Sequence, residues 1–235
     1  MRILLITIIF INSNLLAQEL SSVDLLKQGN DKQEKGDFQG AIQFYNLAIQ
    51  TGASKEDAYY FRGNAYFDMK DYTKAIQSYD SSLFLLPSNA DALFNLGNSF
   101  YELHDYKNAI DNFNKVIALN PKYIGIYYVR GNAYYKIYKY EEALLDFNIN
   151  IEGSPNEASY YYDRGNTLFQ LEKFDKALAD FSKAIELDKS NTNYYVNRGI
   201  TEFNLEMLED GCKDFQKASD LGDNEAENYF IELCQ

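Results

Sequence analysis

Small and apolar residues return along this chain at one fixed interval. Gly29, Gly63, Gly97, Gly131, Gly165 and Gly199 are each 34 residues apart. Placing each glycine at position 8 divides the chain into blocks 22–55, 56–89, 90–123, 124–157, 158–191 and 192–225. Within a block, positions 4, 8 and 11 share one face of a helix at i, i+4, i+7 spacing. Positions 17, 20, 24 and 27 share one face of a second helix. Position 4 holds Leu25, Tyr59, Leu93, Tyr127, Tyr161 and Tyr195. Position 20 holds Ala41, Ala75, Ala109, Ala143, Ala177 and then Gly211. Position 24 is always aromatic: Tyr45, Tyr79, Phe113, Phe147, Phe181 and Phe215. Polar stretches such as Lys35-Gly36-Asp37 and Lys70-Asp71 separate the two helices, and Pro87, Pro121 and Pro155 end the second helix at position 32. A glycine inside a helix costs roughly 1 kcal/mol relative to alanine. Repeating that cost in every block predicts a helix–helix contact too close for a side chain.

The spacing Gly131-x-x-Tyr134, Ala143-x-x-x-Phe147 and Pro155 resembles the tetratricopeptide repeat family, whose period is 34 residues. An accidental periodicity in an ordinary helical bundle does not account for six registered glycines. The resemblance implies an all-α fold: a right-handed α-solenoid of six helix-turn-helix repeats over 22–225, closed by a C-terminal capping helix at 226–235. Tryptophan is absent, with tyrosine or leucine in its place at position 4. The first block carries Lys32 at position 11, and the sixth carries Glu202 there with Gly211 at position 20. Atypical terminal units are expected where a stack ends.

The same resemblance implies a concave groove lined by the first helices, with positions 2, 5, 9 and 12 facing it. Position 9 holds Asn30, Asn64, Asn98, Asn132 and Asn166, then Ile200. An asparagine amide offers a donor and an acceptor, so such a column suits the backbone of an extended peptide. The alternative is that each amide only bonds a neighbouring helix. Tyr60, Phe94, Tyr101, Tyr128, Tyr135 and Tyr162 at positions 5 and 12 supply groove aromatics, a residue type enriched at interaction surfaces. Because Ile200 breaks the asparagine column, the groove site is expected to fade toward the C-terminal end. Arginine stands at position 7 in four blocks, Arg62, Arg130, Arg164 and Arg198, and three of those have aspartate at position 23, giving Arg130 with Asp146, Arg164 with Asp180 and Arg198 with Asp214. These read as structural ion pairs between the two helices of a block. A carboxylate clamp of the chaperone type is not supported, since Tyr128 and Val129 occupy the required cationic positions.

The N-terminus reads as an export signal over 1–17. Arg2 is a positive start, Ile3–Ile11 a short apolar stretch, and Leu15 and Ala17 suit cleavage after Ala17. A short lead, 18–21, would follow. The apolar stretch is too short to span a bilayer, so no membrane span is expected in the mature chain. Cleavage takes the net charge from −13 to −14, which disfavours nucleic acid as a partner. Asparagines are plentiful but no Asn-x-Ser/Thr acceptor occurs, a pattern that favours a bacterial exported protein. Cys212 and Cys234 would meet if their helices run antiparallel, and could form a disulfide in a periplasmic or extracellular setting. With His104 as the one histidine, no metal site or cofactor is expected. No nucleophile elbow or phosphate-binding glycine loop is present, so no catalytic residues are assigned. The expectation is a non-enzymatic scaffold or adaptor binding a protein or peptide in its groove. The alternatives are a carbohydrate-binding module using the same aromatics and amides, or a self-associating structural protein. The oligomeric state is left open.

Overall fold

Two helices per block is what the apolar columns demand, and the computed structural model contains them. It describes residues 21–52, 54–123 and 125–235. The proposed leader 1–17 and residues 18–20 of the lead lie outside the described residues. The described residues form thirteen helices and no strand. They fall into two units, 1–123 and 124–235. The first unit holds α1 (Ser22–Glu34), α2 (Phe38–Thr51), α3 (Lys55–Asp68), α4 (Tyr72–Leu85), α5 (Ala90–Glu102) and α6 (Tyr106–Leu119). The second holds α7 (Ile126–Lys136), α8 (Tyr140–Gly153), α9 (Ala158–Gln170), α10 (Phe174–Leu187), α11 (Thr192–Asn204), α12 (Leu208–Asp220) and α13 (Asn224–Cys234). Within each unit, every helix packs chiefly on its sequence neighbours.

The glycine column meets the aromatic column. A Cβ added at Gly97 would lie 2.5 Å from Phe113 Cε1, and one at Gly165 would lie 2.7 Å from Phe181 Cε1. Gly63 and Gly199 stand in the same relation to Tyr79 and Phe215. The six position-24 rings are at most 1% exposed, and the position-20 alanines are fully buried. The aromatic ring therefore occupies the volume that a first-helix side chain would need, and the glycine's cost is recovered as ring burial.

The turn inside each pair has a feature that the columns only hint at. Position 15 adopts a left-handed conformation throughout, with φ of 75° at Gly36, 60° at Lys70, 61° at His104, 62° at Tyr138, 55° at Glu172 and 60° at Glu206. Only the first block uses glycine there, the residue that enters this region without a Cβ penalty. His104 is exposed in its turn, its Nδ1 2.9 Å from the Tyr106 hydroxyl. Glu172→Gly should therefore stabilise the fifth helix pair by up to about 1 kcal/mol, the relieved strain exceeding glycine's added chain entropy. Thermal unfolding of the variant checks this, and a lower Tm would contradict it.

Helix ends differ between the units. Asp37, Asp71 and Asp105 cap α2, α4 and α6, each side chain accepting a backbone N–H three residues on. Lys139, Lys173 and Met207 stand at the equivalent places before α8, α10 and α12 without a side-chain cap bond. At the C-terminus, α13 covers the sixth pair. Ala226 is fully buried, and the Tyr229 ring lies 5.3 Å from that of Phe215. Cys212 and Cys234 are disulfide-bonded with Cα atoms 5.7 Å apart, joining α12 to the end of α13. Closing a loop of 22 residues' separation contributes about 3 kcal/mol through the unfolded chain.

Candidate functional site

The asparagine column stands on the first helices, half-buried at every position. Its carbonyl oxygens are largely spent inside the fold. The Tyr45 hydroxyl lies 2.8 Å from Asn30 Oδ1 and 3.0 Å from Gln33 Oε1, sharing one proton between two acceptors. Tyr79 donates its hydroxyl to Asn64 Oδ1 at 2.8 Å, and Asn95 donates Nδ2 to the same oxygen at 3.0 Å. Asn197 donates Nδ2 to Asn166 Oδ1 at 2.7 Å and to the Tyr162 hydroxyl at 3.1 Å. Asn132 bonds the Tyr128 hydroxyl, which in turn donates to Asp163 Oδ2 at 2.8 Å. No hydrogen bond from the Asn98 amide is described. Through their oxygens Asn64 and Asn166 thus tie neighbouring first helices together, and the amides of Asn64, Asn132 and Asn166 also bond the position-5 hydroxyls of Tyr60, Tyr128 and Tyr162.

Sequence reasoning overlooked the partner column at position 6. Asn95, Asp163 and Asn197 follow the blocks that have Tyr60, Tyr128 and Tyr162 at position 5. The blocks with Leu26 and Phe94 at position 5 are followed by Phe61 and Val129. A hydroxyl at position 5 is matched by a polar group at position 6 of the next block, and an apolar residue by an apolar one. The signal was in the register, but only across blocks. Burial holds the Asp163 carboxyl above the ordinary carboxylate range, opposed by the bond from Tyr128. Burial also raises the hydroxyls of Tyr60, Tyr128, Tyr135 and Tyr162. These hydroxyls stay neutral in ordinary buffers and act through hydrogen bonds.

The position-5 rings rest on the core. Tyr60 lies 6.2 Å from Tyr79, Phe94 6.1 Å from Phe113, Tyr128 6.2 Å from Phe147 and Tyr162 5.9 Å from Phe181. The position-12 rings stand edge-on to the first residue of the following helix, as Tyr101 does to Tyr106 and Tyr135 to Tyr140. They pack within their own pair and stay half-buried.

In the second unit, three of the expected groove residues come together. Tyr135 of α7, Tyr162 and Asn166 of α9, and Asn197 and Ile200 of α11 line a cleft of about 310 Å³, with Phe169, Gln170 and Phe181. Ile200, which breaks the asparagine column, lies in the lining of this cleft. It forms an apolar wall of the cleft. A cleft of this composition offers aromatic surface, one aliphatic wall and several amides, and it contains no charged side chain.

The arginines do structural work. Arg130 Nε and Nη2 donate to Asp146 at 2.8 and 2.7 Å, Arg164 to Asp180 at 2.7 Å for both bonds, and Arg198 to Asp214 at 2.6 and 2.8 Å. Each is a bidentate bridge between the two helices of one pair. Nη1 of Arg62, Arg164 and Arg198 reaches back to the preceding pair, to Asn46, Asn148 and Ser182. This second role of the arginines was not foreseen. Among the described residues, no group of three or more His, Cys, Asp or Glu could hold a metal ion. No helix among them is long and apolar enough to cross a membrane.

Comparisons with known proteins agree with the repeat register. A family described as tetratricopeptide repeat matches residues 90–123 and 158–191, and one described as TPR repeat matches 63–104. No curated protein matches the chain. Among solved structures, one described as YrrB, a TPR protein with an unusual peptide-binding site, is 25% identical with a TM-score of 0.71, covering 80% of this chain and 98% of its own. MamA from Desulfovibrio magneticus RS-1 is 22% identical with a TM-score of 0.70, covering 72% of this chain and 96% of its own. A tetratricopeptide repeat protein from Parabacteroides merdae ATCC 43184 is 24% identical with a TM-score of 0.61, covering 89% of this chain and 83% of its own. The shared fold is the all-α solenoid of helical repeats. The matched blocks 90–123 and 158–191 coincide with two of the glycine-registered units. The chain is a tetratricopeptide-repeat protein.

Proposed function

We propose that this chain is an exported, non-enzymatic scaffold that binds an extended polypeptide segment in the cleft of its second unit. The observation that carries this reading is the cleft between Tyr135, Tyr162, Asn166, Phe169, Gln170, Asn197 and Ile200. Its aromatic and aliphatic surface suits an apolar side chain, and its amides, held in place by bonds to one another and to tyrosine hydroxyls, suit the polar backbone of a peptide. The uncharged lining favours a segment held by backbone and apolar contacts over one held by charge. Peptide binding by YrrB, a structural relative, lends support as analogy only. Export is supported by the leader pattern ending at Ala17 and by the Cys212–Cys234 disulfide, a bond that persists in oxidising compartments.

Selection from a displayed library of linear peptides tests the reading. Binders should emerge with dissociation constants in the micromolar range, and Phe169→Ala or Gln170→Ala should weaken them at least tenfold. Failure to select any linear peptide, with soluble polysaccharide shifting tyrosine fluorescence instead, would replace this reading with carbohydrate binding.

A further inference from the structure

Glu202 stands where the fold has no place for a charge. It occupies position 11, the column that holds Tyr66, Phe100, Tyr134 and Leu168 in the four preceding blocks. The residue is 6% exposed, and no protein group hydrogen-bonds its Oε2. The nearest cation, Arg198, is already engaged: Nε and Nη2 grip Asp214, and Nη1 donates to Ser182 at 3.2 Å. Glu202 Oε1 is left 4.0 Å from Arg198 Nε. Two carboxyls thus face one guanidinium, whose Nε and Nη2 are already spent on Asp214, in a water-poor site. Ionising both leaves one buried carboxylate without compensation, and protonating one removes the conflict.

The charged groups acting on Glu202 are Arg198 from its own helix and Asp214, Asp210 and Lys213 from α12. The α10 neighbour that reaches this cluster is the neutral Ser182 hydroxyl, on Arg198. Burial first, then the Asp214 charge, pushes the Glu202 carboxyl up to about 7, with Asp210 adding and Arg198 and Lys213 opposing.

We propose that Glu202 is a proton-operated latch on the C-terminal helices. Protonated, it lets α11 and α12 close as an apolar residue would; ionised, it loosens that pair and the α13 cap resting on it. The folded state holds this proton more tightly than the unfolded chain does. The latch's stabilisation is therefore complete below the ordinary glutamate range near 4.5 and is lost as pH rises through about 7. Because α11 also supplies Asn197 and Ile200 to the cleft, the latch would set one wall of that cleft; this consequence alone rests on the groove reading.

Hydrogen–deuterium exchange on the full, disulfide-intact chain tests the latch without any ligand. Protection factors in α11 and α12 should fall between pH 5 and pH 8 in the wild type, by on the order of 100-fold more than in Glu202→Gln. Glu202→Leu, which restores the apolar column, should show the same flat profile as Glu202→Gln. Equal pH dependence in the wild type and both variants would overturn the proposal. A loss confined to α1–α6 would do the same.

Discussion

Asp180→Ala should destabilise the fifth helix pair by about 3–5 kcal/mol, the range for removing one partner of a buried ion pair. Asp180 is 6% exposed and accepts two bonds from Arg164. Its loss leaves a guanidinium whose Nε and Nη2 face a cavity, with only Nη1 still bonded, to Asn148. Arg164→Ala should cost a similar amount by stranding the Asp180 carboxylate, and it also cuts the link to the preceding pair. The double variant should cost much less than the sum, because each single change leaves the opposite partner buried and unpaired, a penalty the double variant does not carry. Chemical denaturation of the four proteins measures this coupling. Fully additive losses would mean that the bridge between α9 and α10 holds nothing.

A second large effect is expected where glycine meets the core ring. Phe113→Ala should cost about 3–5 kcal/mol, since the ring is fully buried between α5 and α6. Gly97→Ala should cost about 1–3 kcal/mol by overpacking, because its Cβ would stand 2.5 Å from the Phe113 ring, set against roughly 1 kcal/mol of gained helix propensity. Combining them should cost less than Phe113→Ala alone. The new methyl group fills space the ring vacated, and the propensity gain is then unopposed. The double variant's denaturation midpoint is the decisive value, and a midpoint below that of Phe113→Ala would show that the glycine serves something other than the ring.

These two sites explain why so much of the fold was legible in advance. A glycine, an alanine and an aromatic at fixed register are statements about side-chain volume, and volume is what two packed helices require. The paired Arg and Asp columns were readable for a related reason, since every block with aspartate at position 23 has arginine at position 7, while Arg62 meets Ser78 instead. The left-handed turn residue was not readable, because backbone conformation leaves a compositional trace only at Gly36. Lys70, His104, Tyr138, Glu172 and Glu206 accept the same φ without signalling it.

The candidate site was less legible than the fold, and the reason is chemical. Asparagine looks the same in sequence whether its amide faces a ligand or a neighbouring helix. The structure commits the oxygens of Asn30, Asn64 and Asn166 to internal bonds, and the amides of Asn64, Asn132 and Asn166 also bond tyrosine hydroxyls. The cleft draws on Gln170, Asn197 and Ile200 as much as on Asn166. Those residues belong to no single column and meet only when α9 and α11 pack together. Glu202 was visible as an atypical residue of a terminal unit, but its conflict with Asp214 over Arg198 needed coordinates.

The central claim is that the cleft of the second unit holds an extended peptide. Mapping backbone amide shifts by nuclear magnetic resonance, while titrating a library-selected linear peptide into the labelled chain, tests it most directly. Shifts should cluster on Tyr135, Tyr162, Asn166, Phe169, Gln170, Asn197 and Ile200, and the Asn166 and Asn197 side-chain NH2 signals should move with them. Shifts gathered instead on the exposed faces of α8, α10 and α12, with the cleft residues unmoved, would contradict it.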